Sequence, residues 1–150
     1  MQGGVYYEDL AVGQTFTSPA RPISGERIGT FAAEFDPQPQ HLDAASAEAS
    51  IFGELVASGW HTCAHTMRLL VEGGMPAFAG GSMGRSVEGI DWPMPVRPGD
   101  TLHAVSELVE MRPSRSRPDR GIIRLRTMTL NQRGETVLVM TSVILVPRRV

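Results

Sequence analysis

The chain has 150 residues, of which 41% are hydrophobic and 20% charged, and its formal net charge is −2. This length and composition predict one globular domain, spanning residues 1–150, with a single core. The small net charge gives no electrostatic reason to expect a nucleic-acid or anionic-membrane partner. No run approaches the ~20 apolar residues of a membrane-spanning helix, and the N-terminus lacks a signal-peptide pattern. We therefore expect a cytoplasmic protein.

The basic residues and the cysteine count exclude several further kinds of enzyme and binding site. All 14 basic side chains are arginines and the chain has no lysine. This excludes Schiff-base chemistry and a P-loop, because each requires a lysine amine. Cys63 is the only cysteine, which excludes an intrachain disulfide and a multi-cysteine zinc site.

The first predicted helix is ISGERIGTFAAEF, residues 23–35. Ser24 is the expected N-cap, and the helix should end at Phe35 or Asp36, because a residue before a proline is pushed out of the α region. The apolar positions recur at i, i+3, i+4 and i+7, which is typical of an amphipathic helix. They are Ile28, Phe31, Ala32 and Phe35.

Two more helices follow. Asp43 is predicted to cap a small helix over residues 44–50. A longer helix should begin near Gly59 and end at Gly73 and Gly74. Its apolar residues form one stripe, which we expect to face the core. They are Trp60, Cys63, Ala64, Met67, Leu70 and Val71.

The second half of the chain predicts four strands, over 85–91, 101–111, 121–130 and 136–146. A hairpin-type connection, NQRGE, joins the last two. The last strand is apolar on both faces, so it should be either central in the sheet or covered on both sides. A long helix followed by antiparallel strands predicts an α+β arrangement in which the helix covers one face of the sheet.

The stretch FDPQPQHLD holds Asp36 and His41 in a segment with two prolines. The prolines predict an extended or turn-like backbone with few accessible states. Such a segment can aim two side chains at one point, and a carboxylate beside an imidazole is a general acid–base pair. The alternative is that Asp36 caps a turn and that His41 lies on a surface loop.

The stretch LVASGWHTCAH offers a second candidate. Ser58 and Gly59 lie where the long helix begins, and unpaired N–H groups there point outward from a positive helix end. An oxygen that gains negative charge would be stabilised at this position, as in an oxyanion hole. An ordinary helix start capped by Ser58 explains the same residues.

Two further patterns admit ligands. His61 and His65 lie four residues apart on the helix and could hold a metal. However, the glutamate of the zinc-binding motif HExxH is missing between them, and no third ligand is evident. We therefore predict no metal site. The stretch RPSRSRPDRG, with Arg112, Arg115 and Arg117, is either a solvated hairpin loop or an anchor for phosphates.

Together these pieces resemble the MaoC-like dehydratase family, which includes (R)-specific enoyl-CoA hydratases. DPQPQHLD resembles the family's D-x-x-x-x-H motif, and FGELVASGWHT resembles the start of its central helix. PVRPGDTL and RPSRSRPDRGI are similar to its strand-edge turn and hairpin. The resemblance runs from about Tyr7 to Pro147. One departure is Gln38, where many members have asparagine.

The resemblance implies a hotdog fold, in which a curved antiparallel sheet wraps a long central helix, and a homodimer with the active site near the interface. It implies reversible addition of water to a 2-enoyl thioester of CoA or acyl carrier protein, giving an (R)-3-hydroxyacyl thioester in fatty acid metabolism. No metal or redox cofactor is required.

The same resemblance assigns roles. Asp36 and His41 would share one water, and the Gly59 N–H would contact the thioester carbonyl. The expected substrate-binding residues also include Ser58, Gln38 and Trp60, and the expected ligands of the CoA phosphates are Arg112, Arg115 and Arg117.

The sequence also admits two rival functions. A hotdog thioesterase should carry an acid on the central helix, and none occurs here before Glu72. A non-catalytic acyl-thioester binding module would bind the same ligand without turnover.

Overall fold

We describe a computed structural model of the chain, in which residues 3–149 are described. A 3₁₀ turn at Tyr7–Asp9 comes first, and the strands and helices follow it in chain order. They are β1 (Thr15–Thr17), β2 (Arg21–Pro22), α1 (Gly25–Phe35), α2 (Pro39–Leu42), α3 (Ala44–Ala47), α4 (Gly59–Leu69) with a π-helical turn at Leu70–Gly74, β3 (Met83–Asp91), β4 (Thr101–Pro113), β5 (Arg120–Leu130) and β6 (Thr136–Pro147).

The strands form one antiparallel sheet in the order β1-β4-β5-β6-β3, and β2 pairs with β4 beside β1. The four long strands agree with the prediction to within two residues at each end. β6 lies between β5 and β3, which confirms that it is an interior strand. The sequence pattern missed β1 and β2, because two or three residues are too few to show a period-2 alternation.

Helix α1 is built as its sequence predicts. The Ser24 hydroxyl accepts the Arg27 N–H at 3.1 Å, and the helix ends at Phe35 with Asp36 as C-cap. Ile28 and Ala32 are buried, whereas Phe35 is 65% exposed, so the packed stripe is narrower than the sequence pattern.

The proline-containing segment differs from its prediction. Gln38 is extended, but Pro39–Leu42 forms a short helix with Pro39 in the first turn. Proline is tolerated there because its missing N–H would have no intrahelical partner. His41 therefore projects from a helical turn rather than from an extended chain. Asp43 then caps α3 as predicted, accepting the Ser46 N–H at 2.7 Å.

The predicted core stripe of α4 is wrong for most of its members. Trp60, Met67 and Val71 are 60%, 46% and 66% exposed, Ala64 is exposed and Cys63 is partly buried. Only Leu70 of the stripe is buried. The face against the sheet carries Thr62, Thr66, Leu69 and Leu70.

The sheet explains why threonine can face inward. The Thr66 and Thr129 hydroxyls are buried and lie 2.7 Å apart in a hydrogen bond between α4 and β5. A buried hydroxyl with a partner avoids the desolvation cost of an unpaired one. Around this contact the core packs Ile28 of α1 and Leu69 of α4 against β4 and β6. None of the helices within residues 3–149 is long and apolar enough to span a membrane.

Candidate active site

A cavity of about 450 Å³ opens at the N-terminal end of α4. Its wall combines the segment after α1, the first turn of α4 and the turn after β3. Asp36, His41, Gly59 and Trp60 all line it. We call it the dyad cavity, after Asp36 and His41.

Asp36 lies at the C-terminal end of α1, and both of its carboxylate oxygens accept hydrogen bonds. Ser58 Oγ donates to Oδ2 and Gln38 Nε2 donates to Oδ1, each at 2.6 Å. The Ser58 hydrogen bond, and after it the Gln38 hydrogen bond, lowers the pKa of Asp36 against an opposing effect of burial. Asp36 is therefore held as a carboxylate at neutral pH.

The His41 ring is oriented by the backbone. The residue is 6% exposed, and its Nδ1 lies 2.7 Å from the carbonyl oxygen of Val56. A carbonyl only accepts, so Nδ1 must carry a proton, and Nε2 is the nitrogen left for chemistry.

Nε2 of His41 faces Asp36 Oδ2 at 3.5 Å. In the neutral ring with a proton on Nδ1, Nε2 bears only a lone pair and cannot donate to a carboxylate. Two acceptors facing each other at this separation suit a shared proton donor, such as a water molecule, bound beside both. The arrangement can bind and polarise one water.

Ser58 is completely buried and acts on two groups at once. Its oxygen caps α4 by accepting the Trp60 N–H at 3.2 Å, while its hydroxyl proton goes to Asp36. The structure thus places Ser58 and Gln38 on the carboxylate of Asp36.

Gly59 is covered by a residue that the sequence did not reveal. Trp92 Nε1 donates to the Gly59 carbonyl at 3.0 Å, and a Cβ on Gly59 would lie 2.7 Å from the Trp92 ring. Trp60 meets the same ring edge-on, with centroids 5.7 Å apart. Within residues 3–149 no oxygen accepts the Gly59 N–H. Trp92 follows β3 at a proline-rich turn, and no sequence motif marks it.

The arginine-rich hairpin lies apart from the dyad cavity in a single chain. Arg112 and Arg115 line a different concavity of about 350 Å³, together with Arg85, and it shares no lining residue with the dyad cavity. Arg117 instead lies 3.5 Å from Asp119. The structure does not bring these three arginines to Asp36 and His41.

In the described part of the chain, the His61–His65 pair has no third potential metal ligand nearby. Among residues 3–149 no group of three histidine, cysteine, aspartate or glutamate side chains converges on one point. Both rings lie on a third concavity, on the opposite side of the first turns of α4 from Trp92.

Comparison with known proteins places the chain among relatives of the same architecture. The crystal structure of a MaoC-like dehydratase from Rhodospirillum rubrum is 50% identical, superposes with a TM-score of 0.92, and the match covers 98% of this chain and 99% of that one. The R-hydratase PhaJ1 from Pseudomonas aeruginosa is 28% identical with a TM-score of 0.78, covering 97% and 88%. The uncharacterised protein YdeM from Bacillus subtilis is 31% identical over 84% of this chain and 87% of its own.

These similarities confirm the predicted α+β hotdog fold, whose central helix is α4. The family model for the MaoC-like domain matches residues 9–128, which include the dyad, the whole of α4 and most of the sheet. The chain belongs to the MaoC-like domain family.

Proposed function

We propose that the protein is a hydratase/dehydratase that adds water reversibly to a 2-enoyl thioester and forms an (R)-3-hydroxyacyl thioester. The observation that carries this proposal is the 3.5 Å approach of Asp36 Oδ2 and His41 Nε2 over a cavity that also contains the start of α4. Family membership and the likeness to an (R)-hydratase support it.

In the hydration direction the dyad binds the water and takes one of its protons as the oxygen bonds to C3. The electron pair of the C2–C3 double bond moves toward the thioester oxygen and gives an enolate. The dyad then returns a proton to C2, so that the dyad ends unchanged and the product has gained one water. Asp36 and His41 form a coupled pair, and the proton is therefore assigned to the pair rather than to one member.

The enolate oxygen needs a donor, and we assign this role to the Gly59 N–H. It lies at the positive end of α4 and has no acceptor within residues 3–149. Such a donor stabilises charge that develops only along the reaction path. Because water and protons are the only groups transferred, the proposed reaction needs neither a metal nor a redox cofactor.

Ser58 and Gln38 hold Asp36 ionised, since both donate to its carboxylate. The rings of Trp60 and Trp92, with Phe52, supply the apolar wall on which an acyl group would pack. Specificity for acyl length would then depend on these rings.

We also propose that the protein acts as a homodimer, because two exposed apolar surfaces adjoin. β3 is an edge strand with Met83 and Val87 about half exposed, and the outer face of α4 exposes Met67 and Val71. The Trp60–Trp92 contact joins the helix face to the end of β3. Large exposed apolar patches and unpaired strand edges are typical of association surfaces.

Antiparallel pairing of β3 with β3 of a second copy would place the start of one strand beside the end of the other. Arg85, near the start of β3, lies with Arg112 and Arg115 around one concavity. Trp92, just past the end of β3, lines the dyad cavity. In such a dimer the arginines of one copy approach the dyad cavity of the other, where we propose that they bind the CoA phosphates.

The dimer is tested with charge substitutions in the apolar face. Val87→Glu should convert a dimer to a monomer in sedimentation velocity, because it places a carboxylate where two strands meet. Val12→Glu is the matched control, since Val12 is 61% exposed and lies outside this surface. A monomeric wild-type protein, or a Val87→Glu dimer of unchanged strength, contradicts the assignment.

The reaction is tested with a panel of enoyl and 3-hydroxyacyl thioesters by following the ultraviolet absorbance of the conjugated double bond. Wild type should interconvert at least one pair, and Asp36→Asn should lose about 10²–10⁴ in rate because it removes the carboxylate. Release of free CoA without a change in the double bond would instead indicate a thioesterase. Ligand-induced thermal stabilisation without turnover would indicate a binding module.

A further inference from the structure

A second functional candidate lies on the other side of α4. A solvent-open concavity of about 480 Å³ lies between β2, α1 and α4, and none of the described residues lines both it and the dyad cavity. The residues that matter in its wall are three arginines and two histidines. They are Arg21, Arg27, Arg68, His61 and His65.

The histidines have unpaired nitrogens. Among residues 3–149, only His61 Nδ1 and His65 Nε2 are buried side-chain nitrogen or oxygen atoms without a hydrogen-bond partner. A buried polar atom without a partner is rare in a native protein and commonly marks a missing water or ion. His61 and His65 both line this concavity, and they lie one helical turn apart, so one ligand could contact both rings.

The charged side chains around the two rings determine whether the concavity favours an anion or a cation. Glu72 accepts a hydrogen bond from Arg68 Nε at 2.7 Å and forms an ion pair with Arg21 Nε at 3.0 Å, so one carboxylate balances two guanidinium groups. Arg27 makes no ion pair within residues 3–149. Three arginines against one glutamate repel a metal cation and attract an anion.

The protonation of the His61 and His65 rings would change when an anion binds. His61 stacks on Phe31, with centroids 4.6 Å apart and planes 7° from parallel, which fixes the ring. Burial, then His65 and Arg27, lowers the pKa of His61 to about 4, and burial also lowers the pKa of His65. Without a ligand the rings are therefore neutral at pH 7. A bound anion would favour their protonated forms and turn both into donors.

We propose that this concavity binds a phosphate-type dianion, held by Arg27, Arg21 and Arg68 and by His61 and His65 in their protonated forms. The guanidinium groups supply charge-assisted hydrogen bonds, and the histidines supply donors from inside the protein. Proton uptake accompanies binding, so affinity increases as pH falls. The site does not depend on the proposed hydratase activity.

The test uses sulfate as the probe, because sulfate stays doubly charged across the pH range used. Protein with ¹⁵N-labelled histidine rings has only four such residues, at 41, 61, 65 and 103. Sulfate should shift the ring signals of His61 and His65 toward the protonated form and leave His103 unchanged. Its affinity should rise several-fold between about pH 8 and about pH 5.5.

Arg27→Gln should weaken sulfate binding by about tenfold or more, the loss expected for a charge-assisted hydrogen bond. Arg126→Gln is the matched control, because Arg126 is exposed on β5 and does not line the concavity. Circular dichroism and thermal melting establish that both variants are folded. The ring-signal titration of the wild-type protein keeps the test valid even if Arg27→Gln fails to fold.

Three results would overturn the proposal: no response of either ring to sulfate, equal losses in Arg27→Gln and Arg126→Gln, or saturable binding of zinc ions alone to the two rings. A phosphate group could come from a free anion or from the phosphorylated end of a thioester carrier, and competition distinguishes them. If CoA displaces sulfate, the carrier is the source. If CoA and sulfate bind together while inorganic phosphate competes with sulfate, the source is the free anion.

Discussion

Two imidazole environments lie on either side of the first turns of α4, and they are built differently. At the dyad cavity, the His41 ring donates to Val56 through one nitrogen and faces Asp36 through the other. On the opposite side, His61 and His65 each have a buried nitrogen without a partner, and three arginines and one carboxylate, that of Glu72, lie around them. The first environment fixes a proton on a known atom. The second leaves one nitrogen of each ring without a partner.

The difference shows that residue type and burial do not by themselves assign a histidine to catalysis. What separates the two sites is the partner of each ring. A carbonyl acceptor and a carboxylate prepare a ring to exchange protons with a bound water. We propose that an unpaired nitrogen among cations prepares a ring to bind an anion.

The largest expected effect distinguishes His41 from a histidine outside both sites. His41→Ala should reduce hydration of the best enoyl thioester by about 10²–10⁴, because it removes one half of the acid–base pair. His103→Ala, on β4, should keep activity within about twofold and serves as the control. Activity of His41→Ala within a few-fold of wild type would mean that the dyad is not the catalytic apparatus.

Gly59→Ala should have the second-largest effect on activity. Its Cβ would lie 2.7 Å from the Trp92 ring, which is held by its bond to the Gly59 carbonyl, so the ring and the helix start must separate. We expect a loss of about 10²-fold in kcat, because the proposed oxyanion donor moves from its position. Gly3→Ala is the control, because a Cβ at Gly3 meets no atom of residues 3–149 within 4 Å. An unchanged kcat would contradict the role of the Gly59 N–H.

Ser58→Ala should have a smaller effect with a specific pH signature. Its hydrogen bond is the largest cause of the lowered pKa of Asp36, so its loss raises that pKa. Activity that requires the carboxylate then disappears at a higher pH, and the acid limb of kcat/KM moves upward. Ser24→Ala is a matched control, since Ser24 also caps a helix but does not contact Asp36. Both variants should lose about 1 kcal/mol of stability, because each loses a helix cap. If the acid limb of kcat/KM moved equally in both variants, this role of Ser58 would be refuted.

The smallest effect is expected for Gln38→Ala. Gln38 donates to the other oxygen of Asp36, but its side chain is exposed and competes with water. The acid limb should move in the same direction as in Ser58→Ala, by less, with a few-fold loss of kcat/KM. A shift of the acid limb larger than that of Ser58→Ala would mean that Gln38 lowers the pKa of Asp36 more than Ser58 does.

The caps and strands of this protein could be predicted because their signals are local. Ser24, Asp43 and the proline after Asp36 each act within three or four residues, and all three predictions agree with the structure. The pairing of Asp36 with His41 also lies within one short segment, although the helical turn that presents His41 was not foreseen.

The orientation of α4 could not be read from its pattern. The apolar stripe predicted to be buried is largely exposed, and Thr66 faces inward because β5 supplies Thr129 as a hydroxyl partner. Whether a face is buried depends on what the rest of the chain places against it. The exposed stripe is instead the surface that we propose a second copy covers.

The sequence by itself determined the longer helices and the four long strands, the caps at Ser24 and Asp43, and the candidate dyad, because these depend on neighbours along the chain. Only the tertiary structure decided how the dyad is held and what surrounds it. The bonds from Ser58 to Asp36, from His41 to Val56 and from Trp92 to Gly59 join residues 22, 15 and 33 positions apart. Contacts at such separations arise when packed elements meet, and no local periodicity encodes which side chains will face each other there.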